Sequence, residues 1–176
     1  MKFNNVQNKM IEHDGETYWI SRSVAVVGLV IASCNNDMYV LINQRGRGAS
    51  DYHGYWNLPC GYLDWNESGV DAVIREIYEE TGLNMKSYFN DNVLEQHQPF
   101  NVMSDAKENR QNVSLKYMFF IHVDKLPKLT NEHNEENETA EIGWFNVDEI
   151  MDKEFAFGHK EIILNADPMA DPMEDF

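Results

Sequence analysis

Runs of apolar residues predict strands in the first third of the chain. Residues 18 to 33 are rich in valine and isoleucine, which is typical of a long, mostly buried strand. The Asn-Asn-Asp sequence at residues 35 to 37 predicts a hairpin turn, because asparagine and aspartate tolerate positive φ angles. Residues 38 to 44 then predict a second strand, and the glycine-containing residues 45 to 55 predict a loop.

The pattern changes to a helical period after a short predicted strand at residues 56 to 61. Four apolar residues recur at the i, i+3, i+4 and i+7 spacing that forms one buried stripe on a helix: Val70, Val73, Ile74 and Ile77. Asn66 or Ser68 offers an N-cap, and the helix is predicted to run to about Thr81. Gly82 is expected to end the helix as a C′ glycine.

The second half of the chain predicts shorter elements separated by polar segments. Predicted strands lie at residues 93 to 103, 113 to 123 and 142 to 145, and predicted helices at residues 147 to 151 and 159 to 165. The polar residues 104 to 112 predict a loop between the first two of these strands. Residues 130 to 139 carry five ionisable side chains and therefore also predict a loop.

The composition is that of one globular domain. The chain has 176 residues, of which 43% are hydrophobic and 12% aromatic, so it can bury a core but is short for two domains. We expect this domain to span residues 21 to 166, after an N-terminal extension of residues 1 to 20. The acidic residues 167 to 176, which contain two Asp-Pro-Met sequences, predict a disordered tail.

The net negative charge of the chain limits the classes of partner that it can bind. Thirty acidic and fourteen basic side chains give a net charge of -16, which repels nucleic acid and anionic membranes. A small anionic substrate remains compatible with this charge if a metal ion supplies local positive charge.

The sequence indicates a cytoplasmic, soluble protein. It has only two cysteines, no apolar leader segment and no apolar run near the ~20 residues of a membrane span.

Three glutamates share one face of the predicted helix. Glu76, Glu79 and Glu80 fall at i, i+3 and i+4, where like charges repel by roughly 0.2 to 0.5 kcal/mol for each pair. A solvated helix face is one interpretation of this cluster. The other is a magnesium site, because Mg²⁺ binds through a few carboxylates, waters and substrate phosphates. Arg75 lies one turn before Glu79 and is expected to reach back to Glu67 in a structural role.

The spacing around these glutamates favours the metal site. Gly61 is followed after five residues by Glu67, and after seven more by the segment Arg-Glu-Ile-Tyr-Glu-Glu-Thr-Gly-Leu, from Arg75 to Leu83. This is the complete Nudix box, so the chain resembles the Nudix hydrolases. Three further segments match the residues usual in such enzymes, at positions 44 to 46, 56 to 59 and 138 to 145, and the resemblance covers roughly residues 21 to 165.

The resemblance implies a fold, a reaction and a cofactor. Nudix hydrolases are α/β proteins, an α/β/α sandwich with a mixed central sheet, and they cleave nucleoside diphosphates linked to another moiety. They usually use magnesium, and manganese is the alternative. The implied reaction is attack of a metal-activated water on phosphorus. A homodimer is also compatible with the resemblance, although no segment of this sequence marks an interface.

The resemblance also implies roles for individual residues. Glu79 and Glu80 are expected to be the principal metal ligands, and Glu76 a ligand or the general base. The carbonyl oxygen of Cys60 is expected to complete the metal shell. Four positions of the box are expected to be structural: Gly61, Glu67, Arg75 and Gly82. Many relatives have a glycine at the position of Cys60, but a backbone contact would survive this change.

The loop before the last predicted strand offers further candidates for the general base. Glu138 lies six residues before Trp144, where Nudix sequences frequently have an acidic residue, and Glu141 lies three before it. We therefore favour Glu138 over Glu141. The other glutamates of the loop, Glu132, Glu135 and Glu136, are interpreted as ordinary surface charges.

Candidates for substrate binding are less distinctive. Arg45 and Arg47 are suited to phosphate by bidentate hydrogen bonds, or are solvated at the surface. Four aromatic residues are candidates for stacking on a base or for the core: Phe100, Tyr117, Phe119 and Trp144. Pro99 lies sixteen residues beyond Leu83, a spacing that the family associates with ADP-ribose hydrolysis.

Other functions remain open at this point. Oxidised nucleoside triphosphates are the main alternative substrates, and NADH is a weaker one because only part of the corresponding motif is present around Pro99. A non-catalytic nucleotide-binding module is the alternative from another class. Such modules tend to lose box carboxylates, and this chain retains all of them.

Overall fold

A seven-stranded mixed sheet lies at the centre of the protein, and a separate two-stranded sheet precedes it. The computed structural model describes residues 9–20, 24–64, 66–104, 112–134 and 137–166. In chain order the strands are β1 (Lys9–His13), β2 (Glu16–Ile20), β3 (Val24–Cys34), β4 (Asp37–Arg45), β5 (Trp56–Asn57), β6 (Cys60–Tyr62), β7 (Asn101–Ser104), β8 (Val113–His122) and β9 (Thr139–Phe145). The helices are α1 (Gly69–Thr81), α2 (Asp91–Gln96), α3 (Val147–Ile150) and α4 (His159–Asn165).

The long strand β3 organises the central sheet. It pairs in parallel with β8 and antiparallel with β4 and β6, while β5 and β9 extend the sheet beyond β4 and β7 extends it beyond β8. The β3 to β4 connection is a two-residue turn in which Asn35 and Asn36 have φ angles of 52° and 68°. These angles match the favoured hairpin turns, so the predicted hairpin is confirmed.

Helix α1 has the predicted stripe and the predicted ends. Ser68 is the N-cap, and its side chain accepts a hydrogen bond from the backbone N–H of Asp71. Gly82 follows the helix with a φ of 71°, and its N–H donates to the carbonyl of Tyr78. A Cβ at Gly28 on β3 would lie 2.8 Å from Cδ1 of Ile77, so the glycine lets the helix approach the sheet.

The sheet has one hydrophobic core on each face. The core under α1 contains Val73, Ile77 and Phe119, and the core on the opposite face contains Leu58, Met118 and Ile150. Residues of α3 and α4 belong to the second core, so helices cover both faces of the sheet. The predicted α/β/α sandwich with a mixed central sheet is therefore confirmed.

The prediction of one buried strand over residues 18 to 33 is wrong at its start. Residues 18 to 20 belong to β2, which pairs with β1 in a separate sheet, and Tyr18 is 44% exposed. Asp14 and Gly15 have φ angles of 55° and 78°, which close a hairpin turn between β1 and β2. This local turn gives residues 18 to 20 a nearby partner outside the main core.

The predicted strand at residues 93 to 103 is wrong over its first part. Residues 93 to 96 lie in α2, and only β7 at the end of the segment is a strand. The Asn90 side chain caps α2 by accepting a hydrogen bond from the N–H of Val93, and Leu94 is buried under the helix. The Asn90 cap and the burial of Leu94 therefore favour a helix here.

Several expectations fall outside the described residues. Most of the polar segment 104 to 112 and the whole predicted tail 167 to 176 belong to this group, as do Glu135 and Glu136. In the part of the chain that the structure describes, none of the helices is long and apolar enough to cross a membrane.

Candidate active site

The C-terminal half of α1 places three glutamates at the edge of the α1 core. The side chains of Glu76 and Glu79 are 13% and 20% exposed, and Glu80 is 6% exposed as a residue. They follow the buried stripe of Val73 and Ile77 on a neighbouring face of the same helix. The cluster is therefore partly buried, and the interpretation as a fully solvated helix face is wrong.

Glu80 is held by two donors from the sheet. Its Oε2 accepts a hydrogen bond of 3.1 Å from Nδ2 of Asn43 on β4 and one of 3.2 Å from the backbone N–H of Cys60 on β6. Asn43 is itself only 2% exposed. These contacts fix one oxygen of Glu80 and place the backbone of Cys60, a predicted ligand through its carbonyl oxygen, next to the carboxylate.

Arg75 connects the helix to the loop that precedes it. Its guanidinium donates to Glu67 at 2.8 and 3.1 Å and to the carbonyl of Tyr62 at 2.9 Å. It also donates to Oε1 of Glu76 at 2.5 Å and to Oε2 of Glu79 at 3.0 Å. The contacts with Glu67 agree with the structural role expected for Arg75, which is 3% exposed.

Burial controls the electrostatics of this cluster. The pKa of Glu76 is raised to about 7, mainly by burial; Arg75 acts to lower it, and the charges of Glu79 and Glu138 act to raise it. Burial also raises the pKa of Glu80 well above its usual range, and the charges of Glu76 and Glu138 add to the effect. The cluster thus holds more negative charge than Arg75 balances, and a bound cation would relieve this.

Gly61 leaves space that Glu76 fills. A Cβ at this position would lie 2.2 Å from Cδ and Oε1 of Glu76, far inside van der Waals contact. Gly61 pairs with Val26 on β3, so its backbone is fixed by the sheet. Only a glycine at position 61 therefore leaves room for the carboxylate of Glu76, fifteen positions later in the chain.

The donor set fits a divalent cation. Each of Glu76, Glu79 and Glu80 uses one oxygen in the hydrogen bonds described above, and the second oxygen has no hydrogen-bond partner among the described residues. Hard cations such as Mg²⁺ bind such oxygens. Within the described ranges, no group of three or more His, Cys, Asp or Glu side chains is already arranged to hold a metal ion. Waters and substrate phosphates would therefore have to complete the shell, as is usual for Mg²⁺.

The two candidate bases differ in position. Glu138 lies close enough to Glu76 and Glu80 to raise the pKa of both, and it lines the adjoining cavity. The backbone carbonyl of Glu138 accepts a hydrogen bond of 2.7 Å from the N–H of Gly46. Glu141 is exposed on β9 and is not one of the residues that line the cavity. The geometry favours Glu138.

A cavity of about 1020 Å³ opens beside the glutamates, on the sheet face opposite α1. Two rows of cross-strand neighbours form its floor. One row contains Cys60, Val27, Lys116 and Asn101, and the other contains Tyr62, Ala25, Ser114 and Met103. The cavity is at the upper end of the size range of small-molecule sites and is continuous with the backbone of the box at Gly61.

The opposite wall of the cavity comes from α4 and the loops before it. Phe155, Phe157 and His159 lie there, together with Tyr52 from the loop after β4. The rings of Tyr52 and Phe157 pack edge to face with centroids 4.9 Å apart. The wall is therefore rich in aromatic surface that can cover a base or a sugar.

The predicted phosphate ligands are not equivalent. Arg45 lines the cavity, forms an ion pair of 2.8 Å with Asp51 and lies over the ring of Phe157. Arg47 is exposed and does not line the cavity. Only Arg45 is thus placed near the substrate space, and its role there stays a prediction.

Of the four aromatic candidates, one lines the cavity and three belong to the α1 core or pack against it. Phe100 lines the cavity and is 38% exposed. Tyr117 and Phe119 are buried in the α1 core, and Trp144 packs against that core while its Nε1–H donates to the carbonyl of Pro127. Pro99 precedes Phe100 but does not itself line the cavity.

Two functional candidates were missed by the sequence analysis. Lys116 lies in the middle of β8, where the alternation of the strand points it away from the α1 core. His159 begins α4 and is 3% exposed, and its Nδ1 accepts a hydrogen bond of 3.0 Å from the N–H of Leu58. For Lys116, the sequence contains one signal of a functional role, a charged residue within a mostly apolar strand.

A protein-family model described as the NUDIX domain matches residues 22–166. Among characterised sequences, the chain is 34% identical over 92 residues to the mRNA decapping complex subunit 2 of Schizosaccharomyces pombe, which is 52% of this chain and 11% of that protein. The chain spans between 11% and 31% of the length of four such relatives.

Several solved structures resemble this chain in fold. A bifunctional NMN adenylyltransferase/ADP ribose pyrophosphatase from Francisella tularensis, complexed with AMP and a Mn ion, is 26% identical with a TM-score of 0.61 over 80% of this chain and 39% of that chain. The NUDIX domain of Shewanella oneidensis NrtR, complexed with ADP ribose, is 17% identical with a TM-score of 0.58 over 80% and 83%. NrtR has also been solved with a 27mer DNA, so this likeness gives no support to the expected absence of a nucleic-acid partner.

Proposed function

The chain belongs to the Nudix family, and from that premise we propose that it is a metal-dependent pyrophosphohydrolase acting on a nucleoside diphosphate linked to another moiety. The observation that carries this proposal is the buried cluster of Glu76, Glu79 and Glu80 beside a large cavity. Each of these carboxylates keeps one oxygen without a protein partner in the described residues. Such a cluster is costly without a cation, and a non-catalytic module would have no need to keep it.

The side chains divide the work of hydrolysis. Glu76, Glu79 and Glu80 would hold magnesium or manganese, which supplies positive charge to the diphosphate oxygens and lowers the pKa of a bound water. Glu138 takes the proton of the attacking water as general base. The N–H groups of Gly46 and Gly48 hold the backbone of Glu138 and Asn137 and so position this base.

The protein also has to orient the two halves of the substrate. The aromatic wall of the cavity covers the base or sugar and excludes water from it. Arg45 lines the cavity and lies over the ring of Phe157 in this wall, and its charge lowers the pKa of both Glu80 and His159. We assign it to a phosphate oxygen of the bound diphosphate.

We further propose ADP-ribose as the substrate to be tested first. The spacing of Pro99 from the box supports this choice, as does the likeness to a protein described as an ADP ribose pyrophosphatase. A magnesium-dependent hydrolysis screen over ADP-ribose, NADH, diadenosine polyphosphates and oxidised nucleoside triphosphates tests it. AMP and ribose 5-phosphate from ADP-ribose are the expected products, and preferred pyrophosphate release from a nucleoside triphosphate would instead favour oxidised nucleoside triphosphates as the substrates.

A further inference from the structure

A buried lysine on the floor of the cavity has no acidic partner among the residues that the structure describes. Lys116 is 6% exposed, and within the described residues its ammonium group makes one hydrogen-bond contact, a weak one of 3.8 Å to Sδ of Met103. No acidic side chain among the described residues forms an ion pair with it. Glu138 and Glu161 line the same cavity, so negative charge is present nearby but is not used to pair the lysine.

An unpaired buried ammonium group is unfavourable in the free protein. Removing a charge from water costs free energy unless a partner of opposite charge compensates it. Burial accordingly lowers the pKa of Lys116. A lysine that only packed its aliphatic stem against apolar surface would direct its ammonium group to bulk water. Here the residue lines the floor of the cavity, so a ligand bound in that cavity can supply the missing charge.

The distance between Lys116 and the predicted metal site limits which molecule can supply this negative charge. Lys116 is opposite Val27 on β3, and Val27 is opposite Cys60 on β6, whose N–H binds Glu80. Two strand spacings of about 4.8 Å therefore place the backbones of Lys116 and Cys60 about 10 Å apart. A ribose that bridges two phosphate groups can span this separation.

The opposite wall supplies a second donor. Because Nδ1 of His159 accepts the N–H of Leu58, the hydrogen of the neutral ring lies on Nε2. Burial, together with the charges of Lys116 and Arg45, lowers the pKa of His159 to about 3, so the ring is neutral near pH 7. Nε2 has no hydrogen-bond partner among the described residues, although His159 lines the cavity.

We propose that Lys116, assisted by the Nε2–H of His159, binds a phosphate group on the nucleoside ribose of the substrate, in addition to the diphosphate that is cleaved. A neutral carbonyl oxygen of a base would accept a hydrogen bond but would leave the charge of Lys116 unbalanced, whereas a phosphate balances it. The inference rests on the proposed function for the identity of the substrate. Among the nucleoside diphosphate derivatives, it predicts tighter binding of those with a 2′- or 3′-phosphate than of those without one.

Binding of products tests the inference without requiring turnover. Titration calorimetry in magnesium compares AMP with adenosine 2′,5′-bisphosphate and adenosine 3′,5′-bisphosphate. We expect one bisphosphate to bind about 10- to 100-fold more tightly than AMP, the size of a hydrogen bond to a charged group. Lys116→Met should bring the affinities for AMP and the bisphosphate together, and Lys116→Arg should retain the preference. Lys128→Met removes an exposed lysine and should behave like the unaltered protein.

A kinetic comparison uses substrates that differ only in the extra phosphate. The pairs are coenzyme A with dephospho-coenzyme A and ADP-ribose 2′-phosphate with ADP-ribose. We expect one phosphorylated member to have the lower KM, and Lys116→Met to raise that KM about 10- to 100-fold with little change in kcat. A thermal melt checks that Lys116→Met is folded, which is expected because the change removes a buried charge.

The possible results separate the inference from the proposed function. Hydrolysis without any preference for the extra phosphate would overturn the inference and leave the proposed function intact. Lys116-dependent binding of a bisphosphate without hydrolysis of any substrate would support the phosphate site and overturn the proposed function. A preference that persists in Lys116→Met would also overturn the assignment to this residue.

Discussion

Gly61 and Glu76 share one space in the structure, since a Cβ added to the glycine would lie 2.2 Å from the carboxylate of the glutamate. The backbone of Gly61 is held in β6 by its pairing with Val26 on β3. Glu76 is held in α1, and Arg75 binds its Oε1. Neither element can move away easily, so any side chain at position 61 has to displace the carboxylate.

Gly61→Ala should therefore lower turnover while the protein remains folded. We expect kcat/KM to fall by about 10²-fold, as when a catalytic group is displaced by a small distance. The control is a double-mutant cycle with Glu76→Gln, because two changes that act through one group are not additive. If Gly61→Ala lowers activity as strongly in the Glu76→Gln protein as in the original one, the effect does not pass through Glu76.

Glu80→Gln tests the metal site. The variant should lose most magnesium-dependent turnover, because a predicted ligand loses its charge. Without metal its melting temperature should be unchanged or higher, since the variant removes a charge that burial and Glu76 disfavour. Added magnesium should raise the melting temperature of the original protein more than that of the variant.

Glu95→Gln, an exposed glutamate of α2, is the matched control for this charge change. It should keep both the activity and the magnesium-induced shift. Near-normal turnover in Glu80→Gln would remove Glu80 from the set of ligands.

Glu138→Gln should lower kcat by about 10²- to 10⁴-fold, the usual contribution of a general base, while KM and magnesium affinity change little. Glu141→Gln is the control, because Glu141 is exposed and does not line the cavity. A loss confined to magnesium affinity would make Glu138 a metal ligand. If Glu138→Gln is fully active and Glu76→Gln is inactive with metal bound, Glu76 is the base.

The contribution of His159 to stability should be lost in mild acid, while Glu76 and Glu80, whose pKa values are raised in the folded protein, act in the opposite direction. Its pKa is about 3 in the folded protein and about 6.5 when the chain is unfolded. Between these values the unfolded state binds a proton at His159 that the folded state does not, so the stabilising contribution of His159 is full above pH 6.5 and decreases as the pH falls towards 3. The contribution is about 1.4 kcal/mol per pH unit in this window.

Denaturant titrations at several pH values check this prediction. His159→Asn keeps an acceptor for the N–H of Leu58 but no longer titrates, so the original protein should lose stability relative to this variant as the pH falls from 6.5 to 3. His122→Asn changes an exposed histidine and should keep the original dependence. Equal pH profiles for His159→Asn and the original protein would show that the ring does not cause the effect.

The sequence was informative where function depends on residues close together in the chain. The three glutamates, the capped helix and the hairpin at Asn35 and Asn36 follow from local spacing and from backbone preferences, and the structure has the helix and the hairpin as predicted. The prediction failed at residues 93 to 96, where apolar Val93 and Leu94 suggested a strand. There the Asn90 cap outweighed the strand preference of valine.

The substrate cavity could not be predicted in the same way, because its residues come from distant segments. Lys116 faces the cavity only through its register with Val27 and Cys60, and His159 only because Leu58 binds it across 101 positions of the chain. Single residues such as these have no periodic pattern. Their roles depend on which strands are neighbours, and the parallel pairing of β3 with β8 determines that.

The most direct test of the central claim is phosphorus NMR of ADP-ribose incubated with the protein and magnesium in water enriched in oxygen-18. The account predicts that the diphosphate signals are replaced by those of AMP and ribose 5-phosphate, with one heavy oxygen in one of the two products. The reaction should require magnesium and be lost in Glu80→Gln. If the folded protein leaves ADP-ribose and the other nucleoside diphosphate derivatives of the screen intact in the presence of magnesium, the assignment as a pyrophosphohydrolase is wrong.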